Sequence, residues 1–167
     1  MLSPKMEKAL NDQIQSEFYS SYLYNAMAAY CHNIHLHGFA HWMKLQGKEE
    51  QGHAMKLFDY VIERDGEVVL KAIQAPPQKF KSIAEIFDKS LQHEKAVTGQ
   101  IHDLYELAQK EKDYATQISL QWFVTEQVEE EAAIQDIVTK LKMISSSSNS
   151  LLYLDKEFFL THFEEWM

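Results

Sequence analysis

Glycine and proline are scarce in this chain, five and three among 167 residues. Both interrupt helices, so their scarcity leaves room for long unbroken ones. Cysteine is rarer still, with Cys31 alone. One thiol makes neither an internal disulfide nor a cysteine cluster, which points to a reducing compartment and a small core residue. There is no apolar run of about 18 residues, so no membrane span is expected. The opening MLSPKMEKALNDQIQSEF also lacks an apolar stretch of signal-peptide length. A cytoplasmic protein is the expectation. Positive charge is in deficit: 16 Lys and Arg against 25 Asp and Glu give a formal net charge of −9. That balance argues against nucleic acid as a partner and suits the collection of cations.

What the chain does have is hydrophobic residues, 46%, at a length that fits one domain with one sizeable core. Periodicity predicts an all-α fold of four long helices and a short fifth. The first, α1, starts at the Ser3-Pro4 cap and runs to about Cys31. The second, α2, runs from about Phe39 to Asp65, with Gly66 as the expected left-handed stop. Periodicity is lost from Glu67 to Lys81, where Pro76-Pro77 forbids helix. The third, α3, opens on Ser82-Ile83-Ala84-Glu85, a capping box, and continues to about Lys110. The fourth, α4, spans about Asp113 to Ile144. The serine run 145–149 reads as a linker, and α5 is expected over about residues 150–165.

The main helices are about 40–45 Å long at 1.5 Å per residue. A short α1–α2 loop makes those two antiparallel neighbours. The α2–α3 connection, extended, reaches up to roughly 50 Å. It can therefore run the length of a bundle, which makes α2 and α3 parallel. The whole chain, residues 1–167, reads as one domain: a four-helix bundle over 3–144, the linker, and α5.

Polar residues sit where the core should be. On α1, Glu17 lies on a stripe of Met6, Leu10, Ile14, Ser21, Tyr24 and Ala28. On α2, Glu50 and His53 are three apart between Met43 and Leu57, hence on one face. On α3, the stripe Phe87, Leu91, Glu94, Thr98, Ile101, Tyr105, Ala108 contains one carboxylate. On α4, Leu120, Phe123, Gln127, Glu130, Ile134, Ile137, Leu141 contains another. One buried carboxylate costs several kcal/mol, of the order typical for such groups. Four, each about 13–16 residues from the same bundle end and so within roughly 5 Å in height, imply cations between them. Oxygen donors with one imidazole suit iron or manganese. Glu-x-x-His with a carboxylate from each partner helix is the di-iron carboxylate arrangement.

Those residues carry a resemblance. The pattern Glu17 and Tyr24, then Glu49-Glu50-x-x-His53, then Glu94, then Trp122-Phe123-x-x-Glu126-Gln127-x-Glu129-Glu130, resembles the prokaryotic non-haem ferritins over essentially the full length. The resemblance implies iron storage with ferroxidase activity, in a hollow shell of 24 subunits. It implies a first iron on Glu17, Glu50 and His53, with Glu50 bridging. A second would sit on Glu94, Glu130 and Glu50, with Gln127 close by. Glu49, Glu126 and Glu129 would help form a third site, and Tyr24 would hydrogen-bond near the centre as a candidate electron donor. Dioxygen or hydrogen peroxide would be the oxidant.

Departures narrow the family. Gln127-Val128-Glu129-Glu130 replaces a second Glu-x-x-His, which counts against a bacterioferritin or rubrerythrin. Gln51 stands where a bacterioferritin has its haem-ligating Met, so no haem is expected. The alternative, a DNA-protecting miniferritin, would place ligands between subunits and a helix in the α2–α3 connection. A metal-free bundle would leave the four core carboxylates unexplained. His32, His35, His37 and His41, at the α1–α2 turn, read as solvated loop histidines, and Glu131 is phased outward.

Overall fold

The computed structural model describes residues 1–144 and 148–161, apart from the side chains of residues 148, 160 and 161. It contains α1 (Pro4–Asn33), α2 (His37–Glu63), α3 (Ile83–Glu111), α4 (Tyr114–Met143) and α5 (Ser148–Thr161), and no strand among the described residues. The expected all-α fold is the observed one. The helix starts follow from local chemistry. Ser3 accepts from the Met6 amide and Ser82 from that of Glu85, while Asp113 accepts from Thr116. Glu85 reaches back one residue further than in a simple capping box, to the Lys81 amide at 2.5 Å.

The α2 stop differs from expectation, and two other helix ends share its form. The left-handed residues are His35, Asp65 and Lys112, with φ of 60°, 56° and 57°, and no glycine has positive φ. Each end closes with paired bonds of the Schellman type, as where Gly66 donates to Val61 at 2.9 Å and Asp65 to Ile62 at 3.0 Å. Gly66 is thus one position past the left-handed residue. Its own constraint is close approach: a Cβ there would lie 3.0 Å from the Val61 carbonyl oxygen and from Glu7 Oε2.

The connection 67–82 runs along α1. Asn11 binds the Glu67 carbonyl and the Val69 amide, Gln15 binds the Ala72 carbonyl, and Phe80 packs edge-on against Tyr30. It therefore climbs from the first third of α1 to its last turn, and α3 starts beside the start of α2, where Phe87 meets Phe39 and Trp42. Parallel α2 and α3 follow, as the length of the connection allows.

The fifth helix begins at Ser148, so Ser148 and Asn149 belong to it and not to the linker; residues 145–147 and 162–167 lie outside the described residues, Phe163 and Trp166 among them. The apolar run of α5 implies burial among neighbouring subunits, and the structure buries part of it otherwise. Leu154 and Phe158 are buried on their own bundle, against Phe39 and Trp42. Leu152, Tyr153 and Phe159 remain exposed. Gly38 makes this docking possible, since a Cβ there would fall on the Asp155 backbone carbonyl, 2.7 Å from its carbon. Asp155 in return accepts from the Phe39 amide at 2.9 Å, capping α2, which has no side-chain cap of its own.

The core is divided. One apolar cluster, around Met27, Phe39, Phe87 and Ile134, fills the α5 end. Another, around Leu10, Leu57, Ile101 and Phe123, fills the opposite end. Between them lies a layer of buried polar side chains.

Candidate metal centre

Each long helix contributes to that layer because each carries a polar residue in phase with its apolar stripe. Glu17 (0% exposed), Glu50 (2%), Glu94 (0%) and Glu130 (6%) all face inward, as do His53, Gln127 and Tyr24. The α4 stripe is buried at every predicted position. On α1 the phase is one residue off: Ser20 is buried and Ser21 only half so, its hydroxyl donating to the Gly47 carbonyl at 2.5 Å. On α3, Leu91, Thr98 and Tyr105 are half-buried.

Two sets of ligand atoms lie within 4.8 Å of one another: Glu17, Glu50 and His53, and then Glu49, His53, Glu126 and Glu130. His53 belongs to both. Its Nδ1 faces Glu50 Oε2 at 3.4 Å, and its ring is held edge-on by Trp122 and Phe123, at 5.3 and 6.1 Å between centroids. Lys56 lies over the Trp122 indole, 3.6 Å from its centroid. Glu94 joins neither set. It accepts from Tyr24 Oη at 2.6 Å and from Gln127 Nε2 at 3.2 Å. Glu129 is exposed and outside both sets. Glu131, phased outward, is half-buried because Thr98 donates to it at 2.6 Å.

The charges are held at a cost. Burial, and then the charge of Glu50, raises the Glu17 carboxyl well above the usual range. Burial raises Glu50 too, followed by Glu94 and Glu130. Glu130 is pushed up to about 9 by burial and then by Glu94, Glu49 and Glu126. Burial raises Glu94 as well, against hydrogen bonds from Tyr24 and Gln127 that favour its charge. Glu17 Oε2 is the one buried side-chain oxygen or nitrogen without a partner among the described residues. A buried acceptor oxygen that nothing donates to, among further carboxylates and an imidazole, is a donor set that suits a divalent cation.

Some residues of the layer were not anticipated. Gln13 is buried and donates to Glu17 Oε1 at 2.8 Å; its position four residues before Glu17, on the same face, was the available signal. Ser20 bonds His93 Nε2 at 2.7 Å, and burial pulls the His93 pKa down to about 4. No spacing rule marks that pair, because the two come from different helices. Cys31 is buried and its thiol pushed up to about 12 by burial, as suits a core residue. His32, His35 and His37 are exposed, with His37 stacked edge-on against the other two.

Known proteins share this architecture. A family model described as a ferritin-like domain matches residues 7–144. The bacterial non-heme ferritin of Staphylococcus haemolyticus is 42% identical over 165 residues, 99% of either chain. That of Staphylococcus aureus strain MRSA252 is 41% identical over the same length. Among solved structures, an open-pore ferritin from the hyperthermophilic archaeon Archaeoglobus fulgidus superposes with a TM-score of 0.94 at 51% identity, covering 95% of this chain and 98% of that one. A matched domain over most of the length, full-length relatives and a shared bundle agree: the chain belongs to the ferritin family.

Proposed function

We propose that this protein stores iron, and that the buried layer is a ferroxidase centre which takes ferrous ions as substrate. The observation that carries the reading is the set of four buried carboxylates with one imidazole, held at one height between two apolar clusters. Such a set is destabilising to an empty bundle and is neutralised by two divalent cations. Glu17, Glu50 and His53 would hold one ferrous ion. Glu50, Glu94 and Glu130 would hold the other, with Gln127 donating to Glu94 to orient it. Glu49, Glu126 and Glu129 form the rim, where a third ion would bind. Each ferrous ion gives up one electron to dioxygen or hydrogen peroxide. Carboxylates favour the ferric product by charge. Tyr24, hydrogen-bonded to Glu94, is an oxidisable side chain in direct contact with a ligand. The ferric product would then pass to a mineral within a shell of 24 subunits in the cytoplasm. All proposed ligands come from one chain, which is what separates this reading from a miniferritin with sites between subunits.

Stopped-flow oxidation of ferrous iron, with anaerobic binding isotherms, tests the reading. Glu50→Ala should abolish the fast phase and His53→Ala nearly so. Glu129→Ala should keep the fast phase and change the iron-to-oxygen ratio. Loss of the fast phase in Glu129→Ala to the same degree as in Glu50→Ala would overturn the division between pair and rim.

A further inference from the structure

On the α1–α3 face, away from the acidic rim of α2 and α4, a groove of about 500 Å³ opens to solvent. Two hydrogen bonds between the helices bracket it. Ser3 donates to Glu111 at 2.6 Å at one end, and Ser16 donates to Gln100 at 2.7 Å at the other. Between them the helices are held apart over small and aliphatic side chains, Ala9, Leu104 and Leu107. The floor is Gln13, 3% exposed, whose amide lies 2.8 Å from Glu17 Oε1. The other oxygen of that carboxylate is the buried atom without a partner. One side chain therefore separates the groove from Glu17, and Glu17 from Glu50 and His53 is a single step within 4.8 Å.

We propose that this groove is an outer port to the carboxylate centre for hydrated divalent cations, with Gln13 as its gate; the inference rests on the reading of that centre as a ferrous site. The charge of the lining is graded along the groove. Lys5 and Lys110 stand at the Ser3–Glu111 end, with Lys5 about 12 Å from the level of Gln13 at 1.5 Å per residue. Asp12 and Asp103 stand nearer the floor, and Glu106 between. Asp12 is engaged by Lys8 and Lys71, and Glu106 by Lys110, so Asp103 is the acid that sets the field at the mouth. A cation drawn past it meets the carboxamide oxygen of Gln13, a neutral donor able to replace water. Rotation of Gln13 away from Glu17 then exposes Glu17 Oε1. A carboxamide suits a gate better than a carboxylate, because it adds no charge to a centre that already has four acids.

A port alters the rates of entry and exit while leaving the equilibrium affinity alone, and that separates it from a ligand. Anaerobic Co(II), which is not oxidised in the process, serves as probe in the assembled protein, with its visible absorption followed by stopped flow. Asp103→Lys with Glu106→Lys should slow association roughly threefold to tenfold and flatten its dependence on ionic strength. The dissociation constant should change much less than the association rate, both residues being exposed and neither a proposed ligand. Gln13→Ala should speed association by about threefold or more. Association unchanged in both variants overturns the port. Slowing confined to Glu49→Lys on the opposite face overturns it too, and assigns entry to α2 and α4. Absence of Co(II) binding in the native chain would instead overturn the reading of the centre itself.

Discussion

At the scale of single residues, the four acids of the layer differ in what they leave behind when removed. Glu130 is raised to about 9 mainly by burial and like charge, and no side chain donates a hydrogen bond to it among those described. Replacing it with leucine removes a buried carboxyl that is costly in either protonation state and leaves no orphan. In the metal-free protein Glu130→Leu should therefore stabilise by about 1–4 kcal/mol, the range seen when buried charges become apolar. Glu94→Leu removes the acceptor of Tyr24 Oη and of Gln127 Nε2. Stranding a buried donor costs about 1–3 kcal/mol, which offsets the gain. Denaturant melts in chelator should rank Glu130→Leu above Glu94→Leu, and the reverse order would show that the Tyr24 bond contributes little. Position in the stripe gave no ground for separating these two acids. Their partners come from α1 and α4, and only packing brings those to Glu94.

Among the elements, α5 and the start of α2 depend on each other. Leucine at the α2 N-cap supplies no side-chain acceptor, and Asp155 of α5 fills that role. Asp155→Ala should cost about 1 kcal/mol, as the loss of a cap does. Gly38→Ala should cost more, because its Cβ meets backbone and not the end of a flexible side chain, so α5 must move bodily. Thermal melts with limited proteolysis check both. Early cleavage before Ser148 in Gly38→Ala would mark the undocked helix, and an unshifted melt with native cleavage would contradict the close contact. At the far end, Arg64 forks onto both oxygens of Asp113 at 3.1 Å, tying the end of α2 to the cap of α4. The two clasps hold α2 at both ends, which keeps Glu50 and His53 at the height of their partners.

For the whole molecule, the buried acids couple stability to pH and to metal. Their folded-state pKa values lie above the unfolded value near 4.3, so the folded chain binds more protons between those limits. That contribution is fully present below the unfolded pKa and is lost as pH rises, for Glu130 through about 9. The metal-free protein should melt lower at pH 8.5 than at pH 6. Divalent cations displace the same protons, so their stabilisation should grow over the same interval. Calorimetry at the two values, with and without Co(II), checks both signs; a metal-free melt that rises with pH would contradict the buried charge set. Removing residues 148–167 should do more than impair a shell. It uncovers Phe39 and Trp42 and deletes the buried Leu154 and Phe158. A loss of at least ~3 kcal/mol is expected from those side chains. Light scattering showing an intact shell, with denaturant melts unchanged, would count against that role for α5.

Helix number, parallel α2 and α3, and the polar layer were determined by the sequence itself. A period of 3.6 residues places a carboxylate on an apolar stripe whatever it packs against, and a fixed rise per residue sets its height. The length of the α2–α3 connection allowed a crossover along helices of this length. The tertiary structure alone decided which acids share a cluster. Glu94 is turned toward Tyr24 and Gln127, and His53 is shared between two groups, because rotamers answer to neighbours from other helices. It also decided that the left-handed stops fall on His35, Asp65 and Lys112, where paired end bonds outweigh the cost of a Cβ in that conformation. Docking of α5 on its own bundle was decided there too: an apolar face is visible in a sequence, but the glycine that receives it, 117 positions before Asp155, is matched to it only by the fold.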